Sequence, residues 1–200
     1  DLAFAAAQTA LPLVALMLLA YLLGRRFLPR YAVPLTLLVA VVFFRVQAWQ
    51  TRAVPDALPA DARVQLLRGD GSTHDMNLAE AVALMRTAFE GQPVALHLWA
   101  EWCPVCRVEE GSVTALGRTW PVLTVAMQSG PAEAVTQVQR QRELPWVTLV
   151  DAQGLLTREL GFSSVPGFVV VDTQGRLRTP TVGFTSETGM RLRLWWATLF

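Results

Sequence analysis

The sequence predicts an α/β fold, a central mixed sheet flanked by helices, behind one or two N-terminal transmembrane helices. Three observations carry this. Residues 2–24 hold no charged side chain. Beyond residue 62, short apolar runs alternate with helix-length stretches and are punctuated by Gly, Pro and Asp turns. The only two cysteines stand in Trp102-Cys103-Pro104-Val105-Cys106, directly after an apolar run, which reads as strand, turn and helix.

The apolar front comes first. Residues 2–24 are long enough to cross a hydrocarbon layer of roughly 30 Å. Arg25, Arg26 and Arg30 follow, and then residues 31–44 are again uncharged. With Arg45 snorkelling outward and Trp49 at the interface, residues 31–49 form a second candidate span. The arginines mark a cytoplasmic loop under the positive-inside rule, so one span or two delivers everything after residue 50 to the far side. The expected organisation is an anchor over 1–50, a linker over 51–61 and a periplasmic domain over 62–200. Two prolines and two aspartates without periodicity make 51–61 a tether.

Within the domain, residues 62–67 read as a first edge strand and 69–72 as a turn. Asn77 caps a helix through about residue 89, with Glu80 completing a capping box. Residues 94–100 are almost continuously apolar, as suits a strand buried on both faces. A helix over 103–116 begins with Pro104 where its missing N–H does no harm. A strand over 121–127, a polar helix over 131–142, a strand over 145–150 and a turn over 151–154 follow. A short helix over 155–160 ends at Gly161. Strand 168–171 turns through 172–175 into 176–181, a hairpin. A terminal helix over 187–199 closes the chain, and one core is expected.

Composition narrows the function classes. The chain is 52% hydrophobic, 16% charged and carries a net charge of +1. No dense basic stripe supports a nucleic-acid partner. The arginines at 140, 142, 191 and 193 read as helix faces meeting water.

The cysteine pair carries the chemistry. A thiolate is the reactive form, and a cysteine at a helix start is favoured as the anion by unpaired N–H groups and the helix dipole. Cys103 is therefore the nucleophile. Cys106, one turn on and less exposed, is the resolving thiol. Pro104 and Val105 between them tune the potential. An inert disulfide closing so small a loop constrains the unfolded chain little. A structural zinc needs about four ligands, and only His74 and His97 stand beside the carboxylates. No cofactor or metal is expected. Val165-Pro166 precedes the strand at 168–171, and proline is tolerated at a strand start. Trp99 reads as core, and Trp102 as part of an exposed platform for a partner.

The stretch Leu98-Trp99-Ala100-Glu101-Trp102-Cys103-Pro104-Val105-Cys106 resembles the active-site segment of the thioredoxin superfamily. Residues 161–172 resemble its cis-proline segment, which implies a cis bond before Pro166 and a catalytic place for it beside Val165. Arg107 and Glu109 resemble the charged positions after the second cysteine in the membrane-tethered, TlpA-like branch. Val125-Ala126-Met127-Gln128-Ser129-Gly130, Val182-Gly183-Phe184-Thr185-Ser186-Glu187 and Leu192-Arg193-Leu194-Trp195 resemble the copper-sensitivity suppressors within it. The resemblance covers roughly residues 31–200. It implies a thioredoxin fold and a protein disulfide oxidoreductase at the bacterial inner membrane, facing the periplasm. It also implies an oxidised periplasmic protein as substrate and a transmembrane electron donor of the DsbD type. A membrane-anchored Cu(I)-binding or chaperone-like protein is the alternative, since two thiolates suit a soft ion. The sequence departs from thioredoxin in one place: His97 stands where thioredoxin has a buried aspartate that assists proton transfer. His97 reads either as a neutral base for that transfer or as a hydrogen-bonded core residue. Glu101 and Glu109 are not read as catalytic.

Overall fold

The computed structural model describes residues 31–199 together with Leu18, Leu19, Tyr21, Leu22 and Arg26. The first candidate span, residues 2–24, lies outside the described residues but for those four leucine and tyrosine positions.

Helix α1, Ala32–Gln50, is 19 residues long, about 28 Å at the α-helical rise. It is long and apolar enough to cross a membrane over Val33–Gln50, and none of that stretch is buried against the domain. Trp49 is exposed near its C-terminal end, with the Arg52 guanidinium 5.2 Å from its ring centroid. An exposed tryptophan there suits the membrane–water boundary, where tryptophan is enriched.

The domain then runs β1 Arg63–Leu67, β2 Thr73–Asn77, α2 Leu78–Ala88, β3 Val94–Trp99, α3 Pro104–Leu116, β4 Val122–Met127, α4 Ala132–Gln141, β5 Val147–Asp151, α5 Leu155–Glu159, β6 Gly167–Val171, β7 Leu177–Val182 and α6 Glu187–Ala197. Seven strands form one sheet in the order β2-β1-β5-β4-β3-β6-β7. The central β3, β4 and β5 are parallel, and the outer pairings are antiparallel. The capping box at α2 is formed on both sides, Asn77 accepting from Glu80 N and Glu80 accepting from Asn77 N.

Two features differ from the expectation. β1 is not an edge strand, because β2 pairs outside it with Leu66 opposite His74. The five residues of β2, THDMN, are largely exposed and show no apolar alternation, so pairing alone makes them a strand. The core also has two faces rather than one. Leu96, Leu98, Leu123, Val125, Val169 and Val171 pack on the side of α2 and α5. Ala95, Trp99, Ala126, Phe168 and Val170 pack on the side of α3 and α6. Period-2 alternation in β3 therefore sends His97 to the α3 face.

Residues 51–61, read as a tether, lie along the domain. Ala57 bridges Arg176, flanked by hydrogen bonds from Leu58 N to Gly175 O at 3.0 Å and from Leu177 N to Asp56 O at 2.8 Å. Val54 and Leu58 pack against the first core face. Gly161 lies so near the Ala53 backbone that a side chain there would collide with it, and its φ of 77° already favours glycine.

Candidate redox site

The site is built where β3 ends and α3 begins. Ala100 O accepts from Cys103 N at 3.2 Å, closing a tight turn after the buried strand. Cys103 is the N-cap of α3, in extended backbone geometry, and Pro104 takes the first helical position. Cys103 and Cys106 are joined in a disulfide with their Cα atoms 5.3 Å apart. Cys106 N donates to Cys103 Sγ at 3.1 Å. The same N–H would support a sulfur anion at Cys103 in the reduced form.

The expected difference in exposure between the two cysteines is small. Cys103 is 3% exposed and Cys106 is 2%, because both pack into the face containing Trp99, Phe168 and Val170. Around them Trp102, at 55% exposure, and Val105 project outward. Trp102 Nε1 donates to Gln128 O at 3.2 Å, which holds the indole on the neighbouring loop. Trp99 is fully buried, with its ring 5.3 Å from that of Trp146 in an edge-to-face arrangement.

The Val165–Pro166 peptide bond is cis. Val165 packs against the core face that holds both cysteines. Pro166 O accepts from Gly183 N at 2.8 Å, fastening this segment to the end of β7.

One turn along α3 from Cys106 lies a buried ionisable pair. His97 Nε2 and Glu109 Oε2 are 3.0 Å apart, and each side chain is 1% exposed. Glu109 Oε1 also accepts a short hydrogen bond from Thr185 N. His97 Nδ1 has no partner among the described residues. In the sequence Glu109 reads as a charged group near the second cysteine without a catalytic role. The missed signal is helical spacing: Cys106, Glu109, Val113 and Leu116 recur at i, i+3, i+7 and i+10 and form the buried stripe of α3. His74 lies on exposed β2 and does not join the site. Among the described residues no cluster of three or more His, Cys, Asp or Glu side chains is gathered for a metal.

The sequence model of the AhpC/TSA family matches residues 72–179. A second model, that of the benzoate membrane transport protein, matches residues 2–89, under half the chain. The part of that stretch in β1, β2 and α2 is built into the sheet and its helical layer rather than into a membrane bundle. Curated relatives include a thioredoxin-like protein of Haemophilus influenzae, 26% identical over 56% of this chain and 66% of its own length. A thiol:disulfide interchange protein DsbE of Pseudomonas aeruginosa is 28% identical over 56% of this chain and 62% of its own. The chain thus spans less than two thirds of these relatives. Among solved structures, DsbF of MTB superposes with a TM-score of 0.56 at 22% identity, covering 72% of this chain and 99% of that one. A secreted thiol-disulfide isomerase of Corynebacterium glutamicum gives 0.53 at 17% identity, covering 72% and 84%. At those identities the superpositions speak for the fold. The fold is that of thioredoxin, and by the match over half its length the chain belongs to the AhpC/TSA family, with its curated relatives in the DsbE/TlpA-like branch of the thioredoxin superfamily.

Proposed function

We propose that this chain is a membrane-anchored thiol–disulfide oxidoreductase that exchanges its Cys103–Cys106 pair with the disulfides of exported proteins, in the reducing direction. The observation that carries this is the disulfide itself, closed between an N-cap cysteine and the first turn of its helix. The DsbE names of the curated relatives support it.

The exchange balances as follows. In the reduced protein the Cys103 thiolate attacks one sulfur of a partner disulfide. The partner S–S bond breaks, a Cys103–partner bond forms, and the leaving sulfur departs as a thiolate that takes up a proton. Cys106, deprotonated, then attacks Cys103 Sγ. The mixed bond breaks, the second partner thiol leaves, and the 103–106 disulfide closes. Two electrons pass to the partner. Returning to the dithiol requires a dithiol donor, for which a transmembrane electron carrier of the DsbD type is the partner proposed. Pro166 and Val165 would offer backbone to the partner and Trp102 a packing surface, while Pro104 and Val105 form the helix start. His97, a neutral base paired with Glu109, is the proposed acceptor and donor for the Cys106 proton.

Resemblance to the suppressor for copper sensitivity protein D supports the reducing direction and a substrate among thiols oxidised under copper stress. The positive-inside arrangement supports a periplasmic domain held at the inner membrane. Turnover of a model disulfide by the full chain, against Cys103→Ser, tests the activity. Equal inertness of both proteins, with tight Cu(I) binding through the two thiolates, would replace this reading with the copper-handling one. Trapping partners on Cys106→Ser would identify the substrate.

A further inference from the structure

Arg142 is the C-cap residue that follows α4, with no evident reason in its sequence context to do more than meet water. In the structure it is forked. Nη1 donates to Glu110 Oε1 at 2.9 Å on α3, and Nη2 donates to the backbone oxygen of Glu101 at 3.1 Å in the turn before Cys103. Both ends of the ion pair are less than one-fifth exposed. The other backbone group of Glu101 is also held: its N–H donates to Ser129 Oγ at 3.0 Å, and Ser129 in turn donates to Met127 O at 3.0 Å. The next residue, Trp102, is fixed to Gln128 O. The turn that presents Cys103 is therefore pinned from the β4–α4 loop on one side and from the end of α4 on the other.

From this geometry we propose that Arg142 is a positioning residue for the exchange. Its fork ties the Cys103 turn to α3 and so keeps the Cys103 sulfur at the helix N-cap. The inference rests on the reading of Cys103 as the nucleophile. A guanidinium suits the task because its planar donors reach a carbonyl and a carboxylate at once, which an ammonium does with poorer geometry. When the fork is broken the turn loosens. The N-cap geometry that supports the Cys103 anion is then populated less, and the thiolate forms at higher pH. Arg142 touches no reacting atom.

A field effect and a strut make opposite forecasts at Glu110. If Arg142 acted only as a nearby positive charge, removing the negative Glu110 would favour the thiolate. If it acts as a strut, removing Glu110 takes away one end of the fork and disfavours it. The test is the pH dependence of Cys103 alkylation by iodoacetamide in the reduced full chain, with thermal melting of the oxidised form followed alongside. Arg142→Gln is expected to slow alkylation at neutral pH by about three- to tenfold, the scale of a lost cap interaction, and to move the inflection upward. Glu110→Ala is expected to shift the same way. Arg142→Lys, which keeps the charge without the fork, is expected not to restore the original rate. A superimposable Arg142→Gln profile, an opposite shift in Glu110→Ala, or full rescue by lysine would each overturn the proposal. Should Arg142→Gln fail to fold, the other two variants carry the same contrast. Disulfide turnover by the unsubstituted chain is measured separately: its absence would remove the functional reading, while the alkylation profiles would still decide the role of Arg142.

Discussion

Cys103 and His97 are both governed by what lies within one hydrogen bond of them. The Cys103 sulfur already accepts an N–H from the first turn of α3, so a negative charge there needs no rearrangement. Glu101, two residues before it, is exposed and has its backbone rather than its carboxylate committed to the site. His97 is constrained more tightly, because the one hydrogen-bond partner of its ring among the described residues is a carboxylate as buried as itself. Replacing His97 by leucine leaves Glu109 with Thr185 N alone and is expected to destabilise the domain by about 2–3 kcal/mol, the usual penalty for stranding a buried polar group. Chemical denaturation at neutral pH measures this. Asparagine at 97 can still donate to the carboxylate and is expected to recover much of the loss. A stable His97→Asn protein with slowed turnover and a changed pH profile would mark His97 as a proton relay. An unchanged profile would leave it a core histidine.

At the scale of elements, the β6–β7 hairpin has its own electrostatic keystone. Asp172 is buried, and its Oδ1 accepts from Gln174 N and Arg176 N, each at 2.9 Å, while Oδ2 accepts from Arg178 Nε at 2.8 Å. Burial opposes its ionisation, but the hydrogen bonds from Arg176, Arg178 and Gln174 outweigh it and hold the carboxyl below its ordinary value. The unfolded chain therefore binds this proton at higher pH than the folded one does. The resulting stability is fully present above the ordinary carboxylate range, near pH ~3.9, and is lost as pH falls through the lower folded value. Asp172→Asn is expected to lower stability at pH 7 by about 2 kcal/mol and to differ progressively less from the original protein as the pH falls below that range, as melting curves at the two pH values would show. The turn at 172–175 was legible because Asp, Gln and Gly stand where a tight hairpin needs them. β2 was not, because THDMN gains its strand conformation from β1 and carries no pattern of its own.

For the whole molecule, the placement of the domain relative to α1 matters most. The strap over residues 51–61 is hydrogen-bonded to the β6–β7 hairpin and packed on the core, which shortens the reach of the redox site from the membrane compared with a free tether. Under the positive-inside rule Arg25, Arg26 and Arg30 are proposed to mark the cytoplasmic side, with residues beyond 50 in the periplasm. A reporter enzyme fused after residue 200 is expected to be active there, and cytoplasmic activity would reverse the orientation.

The sequence by itself determined the apolar anchor, the alternation of strands and helices, and the cysteine pair at a helix start, because each is written in the spacing of neighbouring residues. Only the tertiary structure decided that Glu109 meets His97, that Arg142 reaches the Cys103 turn and that the strap lies against the hairpin. Those contacts join residues distant in the chain, and their partners are chosen by how the sheet stacks its layers, which no local pattern records.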